Sequence, residues 1–161
     1  MDIFAKVCKF DEFEVVATCS GSDLAGQNCK HPFIERLSPI LEAEYVTMDS
    51  GTGCVHIAPG HGLDDYLTGL QHGLDVYCPI DDNGCYTQDN SMPDELVGIS
   101  VLEKSTGCVA NQKVLEILRR ENRLLAQENH HHQYPHCWRS KTPVIFRAMD
   151  QWFVSLDKDE L

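Results

Sequence analysis

The stretch Gly51-Thr52-Gly53-Cys54-Val55-His56-Ile57-Ala58-Pro59-Gly60-His61-Gly62-Leu63-Asp64-Asp65-Tyr66 gathers glycines, two histidines and paired carboxylates into one short segment. Cys54 to Ala58 reads as a buried strand between glycines, and Pro59 to Gly62 as a loop. Leu63 to His72 reads as a short helix closed by Gly73. Gly51 and Gly53 permit a tight turn, while Gly60 and Gly62 let a backbone or a ligand approach closely. A strand–loop–helix unit of this kind can bring His56 and Asp65 to one cleft at the strand's carboxyl end. The helix dipole favours an anion at Asp65, in the first helical turn. Such a carboxylate suits the grip of an ammonium group. An imidazole at His56 can shape the pocket, donate a hydrogen bond or relay a proton.

Plainer readings stand beside these. Asp64 and Asp65 are also what a helix start asks for as caps. A histidine inside an apolar strand, as His56 is, is commonly a satisfied core residue. His61, flanked by glycines, reads as exposed loop. A metal site built from His56, His61 and Asp64 or Asp65 would supply three ligands and an open fourth position. The spacing matches no metal motif with a known mechanism.

Outward from this segment, Phe13 to Cys19 reads as a strand ending at the turn Ser20-Gly21-Ser22, with a short helical turn over Ser22 to Gly26. His31 to Ile34 is expected to be extended, since a residue before proline avoids the helical region. Glu44 to Met48 alternates as a strand, and Val76 to Ile80 is another, followed by the turn Asp81-Asp82-Asn83-Gly84. The clearest helix is expected over 111–127, with Asn111 as N-cap. Its apolar stripe is Val114, Leu115, Ile117, Leu118, Leu124 and Leu125, with Arg119, Arg120 and Arg123 off it. Thr142 to Ala148 and Gln151 to Val154 are the last strand candidates. The pattern predicts one α+β domain over 1–161, built round a barrel-like, mainly antiparallel sheet with a few packed helices.

Composition bounds the function. The 161 residues are 42% hydrophobic and 24% charged, the make-up of a folded domain rather than a disordered chain. No apolar run approaches the roughly 20 residues that span a bilayer, and the first residues lack the pattern of a signal peptide. The expected setting is soluble and cytoplasmic, with no membrane partner. Lys158-Asp159-Glu160-Leu161 spells an endoplasmic-reticulum retention signal. It reads as a coincidence at the point where a longer chain was cut. The eight cysteines include no C-x-x-C pair, so they are expected as free thiols. With 13 Lys+Arg against 25 Asp+Glu the net charge is −12, which on composition alone argues against a free-standing nucleic-acid binder. Any RNA contact is local, or held by another part of a larger protein.

The string at 51–66 closely resembles the signature of the editing domain of isoleucyl-tRNA synthetases. Lys30-His31-Pro32-Phe33 upstream and the run from Tyr134 to Ala148, with Gln151-Trp152-Phe153, extend the resemblance over nearly the whole chain. His56 and the following A-P-G-H-G favour the isoleucyl branch over the valyl and leucyl ones. The resemblance implies hydrolysis of valine wrongly esterified to isoleucine tRNA, because one methylene is too little for a single binding step to reject. It implies that Asp65 holds the α-ammonium of the misattached residue. By the same resemblance His56 borders its side chain and the terminal adenosine, with Gly60 and His61 completing the substrate contacts. A positioned water, not a Ser or Cys nucleophile, would attack the ester. The implied partners are the tRNA(Ile) 3′ end carrying valine and the remainder of the synthetase.

The resemblance implies no cofactor in this domain, although the complete enzyme uses ATP and Mg. Residues 150–161 would lead back toward the synthetic core. The family's threonine-rich upstream segment, another wall of the pocket, has no counterpart in this sequence. Some relatives carry cysteine at the position of Ser140 and bind zinc there. Cys137-Trp138-Arg139-Ser140 lacks that second cysteine, so no zinc is expected, and His130-His131-His132 reads as exposed polar loop. The runner-up reading is an inactive fragment that serves only as a tRNA 3′-end-binding or scaffold module.

Overall fold

The computed structural model of the protein describes residues 2–47, 52–89, 91–102, 107–129 and 133–156. Its elements run α1 (Asp2–Cys8), a 3-10 turn (Gly21–Asp23), β1 (Asn28–Lys30), β2 (Leu37–Pro39), α2 (Leu63–His72) and α3 (Val109–Arg120). They fall into two units. The first comprises residues 1–57 and 79–145, the second residues 58–78 and 146–161.

In the first unit β1 and β2 form an antiparallel hairpin with Asn28 opposite Pro39, Cys29 opposite Ser38 and Lys30 opposite Leu37. Pro39 has no N–H to give, which suits it to a sheet that is all edge. The ladder is carried past it by the Ile40 amide, which donates to the Gln27 carbonyl at 2.8 Å, and by Gly26 N to Ile40 O at 2.9 Å. The hairpin is prefaced by the 3-10 turn. There the Ser20 hydroxyl accepts from Ser22 N, and the Asp23 carboxylate accepts from Ser20 N at 2.8 Å. This reciprocal capping matches the helical turn expected near Ser22 to Gly26.

The core of this unit is Met92, Leu96 and Ile117, with Phe33, Tyr86, Val97 and Val114 packed against it. Ile117 and Leu96 are its most deeply buried large side chains, at 1% and 2% exposure. Ala110, Val114 and Ile117 recur at helical spacing, so α3 presents one face to that cluster. A carboxylate staples the same helix: Glu95 takes both Arg120 Nη2 at 2.6 Å and Arg120 Nη1 at 3.1 Å, and Lys113 Nζ at 3.3 Å. These donors, Arg120 first, pull the Glu95 carboxyl down to about 2.

Helix α3 is shorter than expected and begins earlier. Cys108 is its N-cap, so Asn111 lies inside it and is not the cap. The helix stops at Arg120, well short of Gln127, because Asn122 takes up a left-handed conformation at φ 53°. Asparagine tolerates that conformation. The Leu118 carbonyl then receives the amides of both Arg123 and Leu124, which closes the last turn. Leu125 is left 68% exposed, so the C-terminal end of the expected stripe is not part of the helix face.

The barrel-like sheet is corrected to a single two-stranded sheet; the described residues form an α+β arrangement with no closed barrel. Phe13–Cys19, Cys54–Ala58 and Gln151–Val154 read as strands but make no ladder, Thr142–Ala148 contributes only the bridge Pro143 to His136, and 44–47 contains a turn. Val76–Ile80 contributes only the bridge Ile80 to Tyr86. Alternating apolar residues mark a chain suited to a pleated surface, but a strand exists only when a neighbour takes its N–H and C=O groups. Here Phe13, Val15, Val16, Phe153 and Val154 stay exposed instead. The turn at Asp81 to Gly84 is formed, with Asp81 Oδ1 accepting from Asn83 N and Cys85 N.

The second unit is organised by α2, which begins and ends where the sequence places it. Gly73 closes it at φ 68°, ψ 30°, and Leu74 N donates to Gly69 O at 2.8 Å, a left-handed helix end for which glycine is suited. Gly69 is buried against Pro59, where a β-carbon would come within 2.8 Å of the Pro59 ring. Among the described residues no helix is long and apolar enough to cross a membrane.

Candidate functional site

Three of the four expected site residues lie in the second unit, within seven residues of chain. Gly62 is the N-cap of α2, in an extended conformation at φ −164° and ψ 147°, and offers no side chain to cap the helix. Asp65, in the first turn, folds back over it. Its Oδ2 accepts the amide of Ala58 at 3.1 Å, and it sits so close that a β-carbon on Gly62 would lie 3.1 Å from that oxygen. The carboxylate therefore ties the loop to the helix start. Oδ1 has no hydrogen bond among the described residues and remains available to an incoming cation.

The loop between them is a tight turn closed by His61 N to Ala58 O at 2.8 Å. Gly60 is buried where this turn meets the chain after α2. A β-carbon there would lie 2.3 Å from the Tyr77 carbonyl oxygen, so no larger residue fits without moving the backbone. The segment from Phe146 to Ala148 is strapped across the same turn by two bonds, Ala148 N to Gly60 O at 2.8 Å and His61 Nδ1 to Phe146 O at 2.9 Å. A carbonyl only accepts, so the His61 Nδ1 carries a hydrogen and donates it. In the neutral ring this fixes Nε2 as the proton acceptor. The exposed-loop reading of His61 is thereby corrected: the ring is partly buried and held by a contact from a distant part of the sequence.

His56 belongs to the first unit and is exposed there, so the buried-strand and core-histidine readings are corrected. It lies near enough to His31 to bear on that ring electrostatically. The His31 imidazole is held below the ordinary histidine value, first by burial, then by Arg36 and then by His56. His31 Nδ1 accepts from Ile34 N at 3.1 Å and from Phe33 N at 3.4 Å, and its ring meets Phe33 edge-on at 4.8 Å. The segment 31–34 is accordingly a bend wound round an imidazole, not an extended run. His31 is the site-adjacent residue that residue-by-residue reading passed over. The signal was its place in the Lys30–Phe33 block, one of three that carry the resemblance. A shallow depression of about 200 Å³ lies beside the motif, lined by Tyr45 to Thr47 and Thr52 to Val55.

Among the described residues no group of three His, Cys, Asp or Glu is arranged to hold a metal ion. His130 to His132, Gly51 and the terminal Lys158–Leu161 lie outside the described residues. The cysteines that are described are free thiols.

No protein-family model matches the chain. Individual proteins do. It is 49% identical over 156 residues to an isoleucine–tRNA ligase of Nitratidesulfovibrio vulgaris, covering 97% of this chain and 16% of that protein. The isoleucine–tRNA ligase of Halorhodospira halophila is 46% identical over 146 residues, covering 91% of this chain and 15% of its own length. That of Kosmotoga olearia is 42% identical over 156 residues, again 16% of the longer protein. The class is therefore the aminoacyl-tRNA ligases, the synthetases of protein biosynthesis. Within that class the chain belongs to the isoleucine–tRNA ligase family, and it spans 16% of the length of the Nitratidesulfovibrio relative it matches.

Proposed function

We propose that this chain is the editing part of an isoleucine–tRNA ligase and hydrolyses valine from mischarged valyl-tRNA(Ile) after transfer. Its partners in this reading are the tRNA(Ile) 3′ end bearing valine and the remainder of the synthetase, in a cytoplasmic setting. ATP and Mg belong to the charging reaction of the complete enzyme and not to this step.

The observation that carries the proposal is the carboxylate of Asp65. One oxygen is anchored on the Ala58 amide and the other is left for a ligand. An anion oriented in this way at a helix start suits the α-ammonium of an aminoacyl ester. Gly60 allows the backbone close approach, and His61 presents Nε2 as an acceptor beside it. His56 supplies a further wall or a proton relay to the terminal adenosine and the side chain. The ester is broken by attack of a positioned water on the carbonyl carbon, the tRNA ribose oxygen leaving with a proton. Removing valine by a separate hydrolytic pocket answers the discrimination problem, since one methylene changes binding by only about 1–3 kcal/mol.

The test is release of valine from valyl-tRNA(Ile) by the 161-residue chain and by the same segment within a complete ligase. Release by the ligase that disappears on Asp65→Ala, with isoleucine charging intact, is the expected result; loss of charging instead removes Asp65 from the assignment. The alternative, a tRNA 3′-end-binding or scaffold module, gains if the chain binds tRNA(Ile) but releases no valine, and release returns on adding a threonine-rich upstream segment.

A further inference from the structure

Away from the Asp65 loop, residues 134–144 form a tight hairpin within the first unit. His136 pairs with Pro143 in antiparallel fashion. Cys137 N donates to Thr142 O at 2.9 Å, Lys141 N to Cys137 O at 2.8 Å, and Val144 N to Pro135 O at 3.2 Å. The base is stiffened by Tyr134, whose hydroxyl donates to Val144 O at 2.9 Å and whose ring meets His136 at 90°. Ser140 and Thr142 hydroxyls are bonded at 2.7 Å across the turn. Lys141 is held in a left-handed conformation at φ 58°.

The tip of this hairpin sets an exposed aromatic beside two cations. Trp138 is 74% exposed, although an indole gains by burial. The Arg139 guanidinium lies 4.8 Å from its ring centroid, a cation–π pair on an indole that stays largely exposed. Among the described residues neither Arg139 nor Lys141 has an ion-pair partner. The sequence from Asn129 through Met149 contains no Asp or Glu, in a chain whose net charge is −12. A local positive field on an acidic protein, with an aromatic face beside two unpaired cations, is what single-stranded nucleic acid asks for: a base to stack and phosphates to neutralise.

We propose that the hairpin tip, Trp138 with Arg139 and Lys141, is a docking point for a single-stranded RNA segment. One base stacks on the exposed Trp138 indole while the two cations meet the flanking phosphates. This deepens the editing proposal by naming where the RNA is met, and rests on it for the identity of the RNA. The contact itself needs no aminoacyl ester.

The experiment uses the full 161-residue chain carrying Trp152→Phe, so that Trp138 is the remaining indole. A fluorescein-labelled, uncharged 12-nucleotide RNA of mixed sequence is titrated at low salt, read by anisotropy and by tryptophan emission. Saturable binding with quenching of Trp138 is expected. Trp138→Ala, read by anisotropy, should weaken binding about tenfold or more. The pair Arg139→Gln with Lys141→Asn keeps the hairpin, because asparagine tolerates the positive φ, and should lower the slope of log affinity against log salt by about 1.4. The proposal is overturned by no saturable binding, by binding without quenching, or by a salt slope unchanged in the charge variant. It is equally overturned if vesicles of anionic phospholipid shift Trp138 emission and RNA does not. Because the probe carries no amino acid, failure of valine release with this binding intact counts against the editing reading alone. The reverse result counts against the hairpin alone.

Discussion

Asp65 Oδ2 accepts the amide of Ala58 at 3.1 Å across the loop that opens α2. One side chain thus joins the turn before the helix to the helix's first turn, and its second oxygen has no hydrogen bond among the described residues. The bond holds the preceding turn against a helix whose cap residue, Gly62, has no side chain and whose start carries no side-chain cap. Structure and proposed chemistry therefore meet in one carboxylate, and substitutions can separate them.

Asp65→Asn keeps an oxygen that can accept from Ala58 N but removes the charge. It should preserve the thermal transition within about 0.5 kcal/mol, as many near-isosteric surface changes do, while removing valine release. Asp65→Ala loses both, and should cost about 0.5–1.5 kcal/mol in stability as a lost hydrogen bond does. Thermal melts by circular dichroism beside a deacylation assay make the comparison. Equal destabilisation by both variants would show that charge, not the bond to Ala58, dominates.

Gly60 tolerates no side chain. A β-carbon placed 2.3 Å from the Tyr77 carbonyl oxygen forces the turn away from the chain after α2. Gly60→Ala is expected to destabilise the second unit by about 1–3 kcal/mol, the range for overpacked sites. Hydrogen exchange at Ala148, whose amide is bonded to Gly60, should accelerate. Unchanged protection there would remove the close contact from the account.

Ile117 is 1% exposed at the centre of the first unit's core, against Met92 and Leu96. Ile117→Ala should cost about 2–5 kcal/mol, measured by urea denaturation. Leu125→Ala, at 68% exposure outside α3, should cost less than about 0.5 kcal/mol. The contrast tests directly where the helix ends.

Acidification should weaken the protein in two separate windows. His31 is held below its ordinary value of 6.5, chiefly by burial, so the folded state prefers the neutral ring and the unfolded chain binds the proton more readily. Its contribution is present above about pH 6.5 and is lost as pH falls through the lowered folded value. A proton on Nδ1 would also oppose the amides of Phe33 and Ile34. Glu95, drawn from 4.5 to about 2 by Arg120 and Lys113, adds stability above about pH 4.5 that is lost as pH falls toward 2. Melting temperatures between pH 8 and 2 should show the upper step vanish in His31→Asn and the lower step shrink in Glu95→Gln.

The sequence by itself determined what is local. Helix α2 was legible to the residue because its signals are contiguous: carboxylates in the first turn, an apolar spacing, and a glycine that alone reaches the left-handed end cheaply. The Asp81 turn and the 3-10 turn were legible for the same reason, since Asp and Ser side chains bond their own neighbouring amides. The motif at 51–66, with the blocks at 30–33 and 134–153, was likewise enough to point to the isoleucyl family. Strand pairing was not legible. Residues 28–30 and 37–39 pair while the more apolar 13–19 do not, because a strand's partner is chosen by chain geometry that period-2 alternation does not encode. The end of α3 was decided by Asn122 turning left-handed, against a stripe that continued past it. The site residues divide the same way. Asp65 was visible from its helix position, but the carbonyl of Phe146 that fixes the His61 ring is eighty-five residues away, and only the folded chain brings it there.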